Sequence, residues 1–554
     1  MVIKLTGELA RTTMHFPLLF ATAFFASDVV AARIILSPVD DYINKQYPLS
    51  KKLLLGNIGQ PVGAAPGVTG VAEASNTNPL VKFTWVRDSA MVFKALVDEF
   101  TLGTDDSLRG IIDEFSLAQV RMQHTENPAG SVSTGGLAEV KFSLDLKPDT
   151  GTWSRPQNDG PPLRANILIS YAEWLLAGKN TSFVEQVLWP SISLDIDHVI
   201  NHWNEPSFEL WEIVWTDSYW TAAMQARAVY TAFSLGRKLG YDEQVNRWEA
   251  VAASILCFMQ SFWKEKEGIV ASTTVRDRSG VDSATVLASI YNWDPAAGCD
   301  PLTLQPCSDR ALANLKAVVD GFRSYPINPK EGAAAIGLWT EDQIYFHPWY
   351  LATFGVAEQL YDALMSWDRA GEITVTSTSQ PFFRQFVSGI RASTFKKGNP
   401  TYRKIVAGVQ EFADNTIMIA AKYTGAGGSL PQQFHNQTGE PVGASGLSWS
   451  YSASVTAFNA RRGQRPVSWG AKGLVRAAAS SCNGNVAAAG HEGVGHSEDI
   501  EGVFSNDEIN LLEGLYREAE VANERYYTYN QGSLFEKVYR EGKGFVMNYL
   551  ADYY

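Results

Sequence analysis

Apolar residues recur at three- and four-residue steps along much of this 554-residue chain, and this spacing constrains the fold more than any other feature. The run Val92-Phe93-Ala95-Leu96 is typical, because these side chains would share one face of a helix. Segments of this kind cover residues 89–99, 111–123, 163–177, 221–239, 243–264, 312–322, 350–370, 380–394, 405–423 and 448–459. Alternating strand patterns are few, and no internal repeat indicates a solenoid. We therefore predict an all-α fold, although periodicity alone does not distinguish a closed helical toroid from an irregular bundle.

The two ends of the chain differ in composition from the middle. An apolar run over residues 16–26 follows Lys4 and Arg11 and precedes small residues at 29–32, which is the layout of a secretory signal peptide. We predict a signal peptide over 1–32, with a buried N-terminal helix as the alternative and Met14 as an alternative start. Residues 470–506 are rich in Ala, Gly and Ser and predict a loop, whereas 507–523 predict an amphipathic helix. The globular domain should therefore span 33–470, followed by a docked extension over 471–554.

The overall composition excludes several classes of function. The net charge of −13 argues against a nucleic-acid partner, and no segment after the leader is apolar enough to cross a membrane. We find no metal-ligand cluster, phosphate loop or nucleotide motif, so we expect no metal and no cofactor. We expect a monomer that binds a small molecule, hydrophobic or sugar-derived. The 16 Trp and 22 Tyr are a surplus that often lines pockets for flat ligands, although most of these rings should lie in the core.

Cysteine and asparagine patterns indicate an oxidising, secretory compartment. Cys299 and Cys307 are eight residues apart, which suits a closed loop, and Cys257 would then pair with Cys482. Four cysteines allow three connectivities, so the spacing only favours this one. Asn180 and Asn436 each begin an N-glycosylation sequence, which is a weak signal by itself. Together these features favour a secreted or lumenal protein.

Several segments in a fixed order resemble one known family. They are Thr84-Trp85-Val86-Arg87-Asp88-Ser89, Thr150-Gly151-Thr152-Trp153-Ser154-Arg155-Pro156, Leu210-Trp211-Glu212, Gln305-Pro306-Cys307-Ser308, Glu358-Gln359-Leu360-Tyr361-Asp362-Ala363-Leu364 and Leu447-Ser448-Trp449-Ser450-Tyr451. The chain over residues 45–470 is similar in these segments to fungal glucoamylases, glycoside hydrolase family 15. The resemblance implies an (α/α)6 barrel with a pocket at one end, and both cysteine pairs match disulfides of the family. It also implies release of glucose from starch by an acidic and a basic glutamate, although no starch-binding module is recognisable in the extension.

The resemblance also assigns roles to individual residues. Glu212 matches the general acid that protonates the leaving oxygen. Arg87 and Asp88 match a pair that grips the terminal sugar, although an adjacent Arg-Asp could equally be a structural ion pair. Trp153 matches the aromatic wall beside the acid, and Trp211 matches a position that is both structural and pocket-lining. Either tryptophan could also serve packing alone.

Five positions depart from the family pattern. Gln432 stands at the position of the catalytic base, and an amide cannot take a proton from water; general-base assistance contributes roughly 10²–10⁴-fold to a rate. Val81, Ile213 and Leu338 replace a tyrosine, a glutamate and an arginine that contact sugar. Trp215 replaces a small polar residue just after the acid. The exchanges run from polar towards apolar groups.

Three interpretations remain open. We prefer an enzyme whose repurposed pocket uses Glu212 as acid or hydrogen-bond donor on a non-glucan hydrophobic molecule, as in secondary metabolism, in a cyclisation, isomerisation or pericyclic step. The second is an inverting α-glucan exo-hydrolase, with His435 or Glu440 as candidates for a displaced base. The third is a secreted pseudoenzyme that binds glucan without turnover. The first is preferred because it alone explains the direction of all the exchanges.

Overall fold

The computed structural model describes residues 37–60, 66–76, 81–276 and 278–485. The main helices are α1 Pro38–Gly56, α2 Val86–Thr101, α3 Arg109–His124, α4 Gly160–Ala177, α5 Trp189–His202, α6 Tyr219–Leu239, α7 Trp248–Met259, α8 Ala284–Tyr291, α9 Asp309–Gly321, α10 Tyr350–Ala370, α11 Pro400–Tyr423, α12 Ser448–Arg461 and α13 Ala471–Asn485. Shorter helical turns lie at Asp106–Leu108, Gly136–Ala138, Thr181–Phe183, Val184–Leu188, Asp242–Val245, Gln260–Phe262, Phe322–Ser324, Gln380–Phe383 and Ala426–Gly428.

The even-numbered helices from α2 to α12 form a closed inner ring. Each packs against the next even-numbered helix along the chain, and α12 packs back against α2. The odd-numbered helices α1 to α11 return along the outside, α1 against α12 and each of the others against an inner helix beside it in sequence. The described residues therefore form an (α/α)6 barrel, as the resemblance implies, and the inner helices all run in the same direction.

The sequence separates inner from outer helices by how much of each surface is apolar. All eight residues of α8 are buried, so this helix has no polar face. The outer helix α11 instead buries Tyr402, Ile405, Val409 and Phe412, which lie at three- and four-residue steps on one face. A helix that is apolar all round belongs inside a core, whereas an amphipathic helix covers one.

Local signals in the sequence fix many helix ends. The Ser308 hydroxyl accepts a hydrogen bond from the Ala311 amide at 3.2 Å and caps α9. The side chain of Asn399 accepts from the Thr401 amide at 2.8 Å, just before Pro400 begins α11. Such a cap contributes about 1 kcal/mol to the free energy of unfolding. Gly371 ends α10 in the left-handed conformation that glycine adopts without strain.

Short antiparallel strand pairs brace the loops between the helices. In the described residues they are β1 Phe83–Trp85 with β2 Lys141–Ser143, β3 Ser207–Phe208 with β4 Trp215–Thr216, β5 Trp263–Lys264 with β6 Ile269–Val270, β7 Glu372–Val375 with β8 Ser393–Lys396, and β9 Gln433–Phe434 with β10 Pro441–Val442. Phe208 lies directly opposite Trp215 in the third and fourth strands. This hairpin carries the loop that contains Glu212.

Two of the helices predicted from periodicity are interrupted. Only Gln380–Phe383 is helical within 380–394, because Phe382 and Phe383 turn into the core and Gly389 takes a positive φ of 72° before β8. The segment 243–264 divides into a short turn, α7 and β5. The periodic segments omitted α1, α5 and α8. The last is short and wholly buried, so it has no amphipathic pattern to detect.

The last described residues depart from the predicted loop. Residues 471–485 form α13, which packs on α7 through the buried side chains of Leu474 and Ala478. Cys257 and Cys482 form a disulfide between the same two helices, and Cys299 pairs with Cys307, so both pairings are confirmed. The predicted signal peptide and the helix at 507–523 lie outside the described residues. Of the helices described, none is long and apolar enough to cross a bilayer.

A candidate catalytic pocket at one end of the barrel

A cavity that is partly open to solvent lies at the end of the barrel where the inner helices begin. It is lined by Ala74, Val81, Trp85, Arg87, Asp88, Leu210, Trp211, Glu212, Leu338, Tyr345, Trp349, Gln432, Ala444, Leu447 and Trp449. Most of these residues belong to the loops that lead into α2, α6, α10 and α12 or to their first turns. Because the amino ends of parallel helices meet here, their dipoles favour negative charge at this end of the barrel.

Both carboxylate oxygens of Glu212 are held by donors. Oε1 accepts from Nη2 of Arg87 at 2.6 Å, and Oε2 accepts from the indole Nε1 of Trp153 at 2.9 Å. The backbone carbonyl of Glu212 accepts from the Ser154 hydroxyl at 2.6 Å. Glu212 is 1% exposed and has a φ of 67°, which is uncommon for a residue other than glycine. The structure thus fixes this side chain in one orientation at the pocket wall.

The loop that carries Glu212 is organised by a second glutamate that the sequence reasoning did not assign. Glu209 accepts hydrogen bonds from the backbone amides of Trp211 at 2.6 Å, Ile213 at 3.1 Å and Val214 at 3.3 Å. Burial raises the pKa of this carboxyl to about 7, although the amide bonds act in the opposite direction. The three donors explain how the tight loop between β3 and β4 is maintained. Glu209 was visible in the sequence only as a neighbour of the matched motif.

Arg87 is the centre of the charged network around the pocket. Its Nη1 donates to Asp159 at 3.0 Å and to Gln157 at 2.7 Å, while Nη2 donates to Glu212. Burial alone would lower the pKa of this guanidinium, but the charges of Asp159, Glu212 and Asp88 outweigh it and raise the pKa. Nε of Arg87 has no hydrogen-bond partner among the described residues and lies 3.9 Å from Asp88. Arg87 is therefore a structural anchor as well as a candidate for binding sugar.

Asp88 is the only carboxylate besides Glu212 among the described residues that line the pocket. Its side chain is 18% exposed, and it lies in the first turn of α2. Burial raises its pKa to about 7, and the charges of Glu212 and Asp159 add to this against the influence of Arg87. Because a single guanidinium contacts both carboxylates, Asp88 and Glu212 lie on the same side of the pocket. An acceptor in this position suits a sugar hydroxyl.

Trp153 lies behind the acid in a cluster of buried aromatic rings. Its ring meets Trp85 edge-on, with centroids 5.9 Å apart. Nζ of Lys141 lies 3.4 Å from the centroid of Trp153 and pairs with Asp149 at 3.6 Å. A cation over an indole face is favourable, more so when both are removed from water. This contact fixes the ring whose Nε1 holds Glu212.

Gln432 is buried on the far side of the pocket, in the segment that leads to β9. Its side-chain Oε1 accepts from the backbone amide of Ala444 at 3.2 Å, and its backbone amide donates to the Ala444 carbonyl at 2.8 Å. The side-chain amide keeps the Nε2 donor and the second lone pair of Oε1 for a water molecule. Gln432 can orient a water molecule through this group but cannot accept its proton.

The ring order places Glu212 and Gln432 across the pocket from each other. Glu212 precedes α6 and Gln432 lies between α11 and α12, and α6 and α12 are three places apart in the ring of six. Water held by Gln432 would thus approach a sugar from the side opposite the acid. This is the arrangement that an inverting glycosidase requires.

The four other departing positions do not all lie in the pocket. Val81 and Leu338 are buried and line the pocket, and their contact with a substrate stays a prediction. Ile213 is half-buried and does not line the cavity, although its amide donates to Glu209. Trp215 is 42% exposed on β4, outside the cavity. The exchange towards apolar groups therefore applies to the pocket at two positions and to its surroundings at the other two.

Several pocket residues were not assigned in advance. Tyr345, Trp349 and Trp449 supply most of the remaining aromatic lining, and Trp449 was visible only as part of a matched motif. The indole Nε1 of Trp211 donates to Asp282 at 3.0 Å, which orients that ring in the pocket floor. A sequence signal for these residues exists only in their positions just before or just inside the inner helices.

Neither candidate for a displaced base lies in the pocket. Nδ1 of His435 accepts from the amides of Gln437 at 3.1 Å and Thr438 at 3.3 Å, in a surface turn. Glu440 is exposed. Over residues 37–485, as far as they are described, no cluster of three or more His, Cys, Asp or Glu side chains is arranged to hold a metal ion.

Comparisons with known proteins were consistent with one another. The sequence profile of the family "Glycosyl hydrolases family 15" matches residues 48–459. The chain is 43% identical to Glucoamylase-1 of Schizophyllum commune over 82% of this chain and 79% of that protein. It is 44% identical to a glucoamylase of Neurospora crassa over 79% and 71% of the two chains. The structure is similar to a solved glucoamylase from Hypocrea jecorina, with a TM-score of 0.75 and 44% identity over 78% and 74% of the two chains.

These comparisons correct the preferred interpretation. A non-hydrolytic enzyme acting on a hydrophobic molecule, as in secondary metabolism, is wrong, because relatives at 43–44% identity over most of the chain are glucoamylases. That interpretation gave five exchanged positions more weight than the rest of the barrel. Two of the five lie outside the cavity, and the contacts that hold Glu212, Arg87 and Trp153 are intact.

Proposed function

Because the chain belongs to glycosyl hydrolase family 15, we propose that it hydrolyses α-1,4-linked glucans from their non-reducing ends, with Glu212 as the general acid. The proposal rests on the fixed position of Glu212, whose two carboxylate oxygens accept hydrogen bonds from Arg87 at 2.6 Å and from Trp153 at 2.9 Å at the pocket wall. Catalysis by a positioned acid requires this kind of fixed geometry before it requires a particular pKa.

The terminal sugar would be bound on the same side as the acid. Asp88 presents a partly exposed carboxyl group to the pocket, whereas Nε of Arg87 is buried beside it. A sugar hydroxyl could donate to an oxygen of Asp88. The apolar side chains of Val81 and Leu338 offer no such bond. We therefore propose fewer polar contacts to the first sugar than the family pattern provides.

Water would attack from the side of Gln432 and give the β-anomer. Gln432 can hold this water through its side-chain amide but contributes no base. Arg87 contacts both Asp88 and Glu212, so we place Asp88 on the side of the acid rather than on that of the water. General-base assistance contributes roughly 10²–10⁴-fold. We therefore propose a slow hydrolase in which the water loses its proton to bulk solvent as the bond to the sugar forms.

The compartment proposed for this activity is the secretory pathway or the extracellular space. Two disulfides have formed, which is usual in oxidising compartments. Asn180 is exposed and suits glycosylation, whereas Nδ2 of the partly buried Asn436 donates to the Phe346 carbonyl at 3.2 Å. We propose Asn180 as the more accessible of the two sites.

Glucose release from maltoheptaose by the purified protein tests the proposal. The parent should release glucose slowly as the β-anomer, detected by proton NMR, and Glu212→Gln should abolish the release. Glu440→Gln is the matched control, because this glutamate is exposed and lies outside the pocket, and it should keep the parental rate. No release by the parent during prolonged incubation would refute the hydrolase. Saturable maltoheptaose binding in that case would instead identify a glucan-binding pseudoenzyme.

A further inference from the structure

One aromatic side chain beside the pocket differs from the others in its exposure. Trp215 is 42% exposed and is the one tryptophan among the large hydrophobic side chains that the described residues leave open to solvent. Trp85, Trp211, Trp349 and Trp449, which line the pocket, and Trp153, which contacts Glu212 without lining the pocket, are all buried. A single exposed apolar residue is ordinary on a protein surface. The location of Trp215 is what gives it a candidate role.

Trp215 lies at the edge of the loop that positions the acid. It follows Glu212 by three residues, so its backbone is within about 10 Å of the acid. The Glu209 amide donates to the Val214 carbonyl at 3.0 Å and closes the loop. Phe208 lies opposite Trp215 in the hairpin, and the two rings meet edge-on with centroids 5.5 Å apart. The indole is thus supported from one side and open to solvent over much of its surface.

The direction of the substrate follows from the role proposed for Glu212. A general acid must lie beside the oxygen of the bond that breaks, and the second sugar is attached to that oxygen. The pocket encloses the first sugar, so the rest of the chain must leave it past the loop of the acid. Along this loop the side chains become more exposed after buried Glu212, through half-buried Ile213 to exposed Trp215, so the loop reaches the surface there.

We propose that Trp215, supported by Phe208, is a binding platform for the glucan chain beyond its second sugar. This inference rests on the proposed function, and it deepens it by making longer α-glucans the preferred substrates. A flat indole presents a large apolar area that is already ordered, so binding costs little side-chain entropy. The platform compensates in part for the polar contacts that Val81 and Leu338 do not make with the first sugar.

The test compares a short with a long substrate in three variants. Trp215→Ala should lower the ratio of kcat/KM for maltoheptaose to kcat/KM for maltose about five- to tenfold, because maltose does not reach the platform. Trp215→Phe keeps a flat ring and should restore most of the preference for the longer substrate. Tyr241→Ala removes an exposed aromatic ring after the carboxyl end of α6, far from the pocket, and should leave the ratio of the two kcat/KM values unchanged.

Binding measurements separate failure of this proposal from failure of the hydrolase. In a Glu212→Gln background, calorimetry should show that Trp215→Ala weakens maltoheptaose binding and affects maltose much less. This result would support the platform even if the parent released no glucose. Equal effects on both sugars, or no effect on either, would overturn the platform whatever the rate of hydrolysis. Circular dichroism of each variant identifies a loss that comes from unfolding.

Discussion

Nη2 of Arg87 donates to Oε1 of Glu212 at 2.6 Å, while Nη1 of the same guanidinium donates to Asp159 at 3.0 Å. Asp159 also accepts from the indole of Trp220 at 2.8 Å. One side chain from the first turn of α2 thus connects the acid with the residue that precedes α4 and with the first turn of α6. The position of Glu212 depends on inner helices of the barrel as well as on its own loop.

Replacing Arg87 by lysine should therefore impair both activity and stability. A lysine is a point charge and cannot donate to Glu212 and Asp159 in a fixed fork. We expect kcat/KM for maltoheptaose to fall at least 100-fold and the free energy of unfolding to fall by about 3 kcal/mol, because a buried carboxylate loses its partner. Glucose release and urea denaturation measure the two effects.

Arg237→Lys is the matched control for this substitution. Arg237 lies near the carboxyl end of α6 and is 56% exposed, at 3.7 Å from the exposed Asp242. We expect kcat/KM for maltoheptaose and the free energy of unfolding to stay at the parental values in this control. A parental rate in Arg87→Lys would show that Glu212 needs no fixed guanidinium.

The orientation of Gln432 should depend on a glycine. Gly443 has a φ of 74°, and a Cβ atom at this position would lie 2.4 Å from Oε1 of Gln432. Gly443→Ala should displace the amide that we propose holds the water and reduce kcat about tenfold or more, on the scale of lost water positioning. Gly446→Ala is the control, because it has the same φ but its nearest neighbour is the Tyr451 hydroxyl at 3.1 Å. Equal losses of kcat in the two variants would attribute the effect to backbone strain alone.

The sequence allowed the barrel to be predicted because two independent signals agreed. Apolar periodicity identified most of the amphipathic helices, and the order of the matched motifs implied the ring. Periodicity could not find α8, which is buried on all sides, or α13, whose composition reads as a loop. That last helix is stabilised by tertiary contacts, since Leu474 packs on α7 and Cys482 is bonded to Cys257.

Within the site, the residues aligned to a motif were easier to predict than their supports. Glu212, Arg87 and Trp153 were identified and are in direct contact. Glu209 and Lys141 were not identified. They support the loop of the acid and the ring of Trp153 rather than contacting the pocket, and no sequence motif marks residues with such a supporting role. Inferring the reaction failed for a related reason. The sequence showed which side chains changed, but not that Ile213 and Trp215 lie outside the cavity.

Asp282 should make the stability of the protein depend on pH. Burial raises the pKa of this carboxyl from 3.8 to about 6, although bonds from the Ala284 amide and the Trp211 indole oppose the shift. Between pH 3.8 and 6, the Asp282 carboxyl is therefore mostly protonated in the folded protein and mostly ionised in the unfolded chain. The free energy of unfolding should fall by about 3 kcal/mol in total as pH rises from about 3 to about 7, with about 2 kcal/mol of this between pH 3.8 and 6.

Asp282→Asn removes this titration and keeps an acceptor oxygen for both donors. Urea denaturation at pH 4 and pH 6.5 should show that the free energy of unfolding falls less in the variant than in the parent, by about 2 kcal/mol. The other buried acids and histidines are common to both proteins and their contributions cancel, except for Glu209 and Asp342, whose pKa values the charge of Asp282 raises. Asp106→Asn changes an exposed carboxyl. This control should show the same decrease in the free energy of unfolding between pH 4 and pH 6.5 as the parent. Equal decreases for Asp282→Asn and the parent would contradict the assignment.

The two disulfides should contribute unequally to stability. Cys257 and Cys482 are separated by 225 residues, whereas Cys299 and Cys307 are separated by 8. By restricting the unfolded chain, the long loop should add about 5 kcal/mol to the free energy of unfolding and the short loop about 2.5 kcal/mol. Paired alanine substitutions, compared by guanidinium denaturation, should therefore destabilise the protein more for the first bridge. A larger loss for the short loop would mean that native-state packing at Cys299 outweighs chain entropy.

Restoring a carboxylate at position 432 should accelerate hydrolysis. Gln432→Glu keeps the acceptor for the Ala444 amide, which donates at 3.2 Å, and adds a group that can take a proton from water. We expect kcat for maltoheptaose to rise by about 10²-fold or more, with a new loss of activity at acidic pH as the glutamate becomes protonated. Gln432→Ala, which neither orients water nor accepts a proton, should be slower than the parent. If Gln432→Glu and Gln432→Ala were equally slow, the limitation would lie in binding of the first sugar beside Val81 and Leu338 rather than in the missing base.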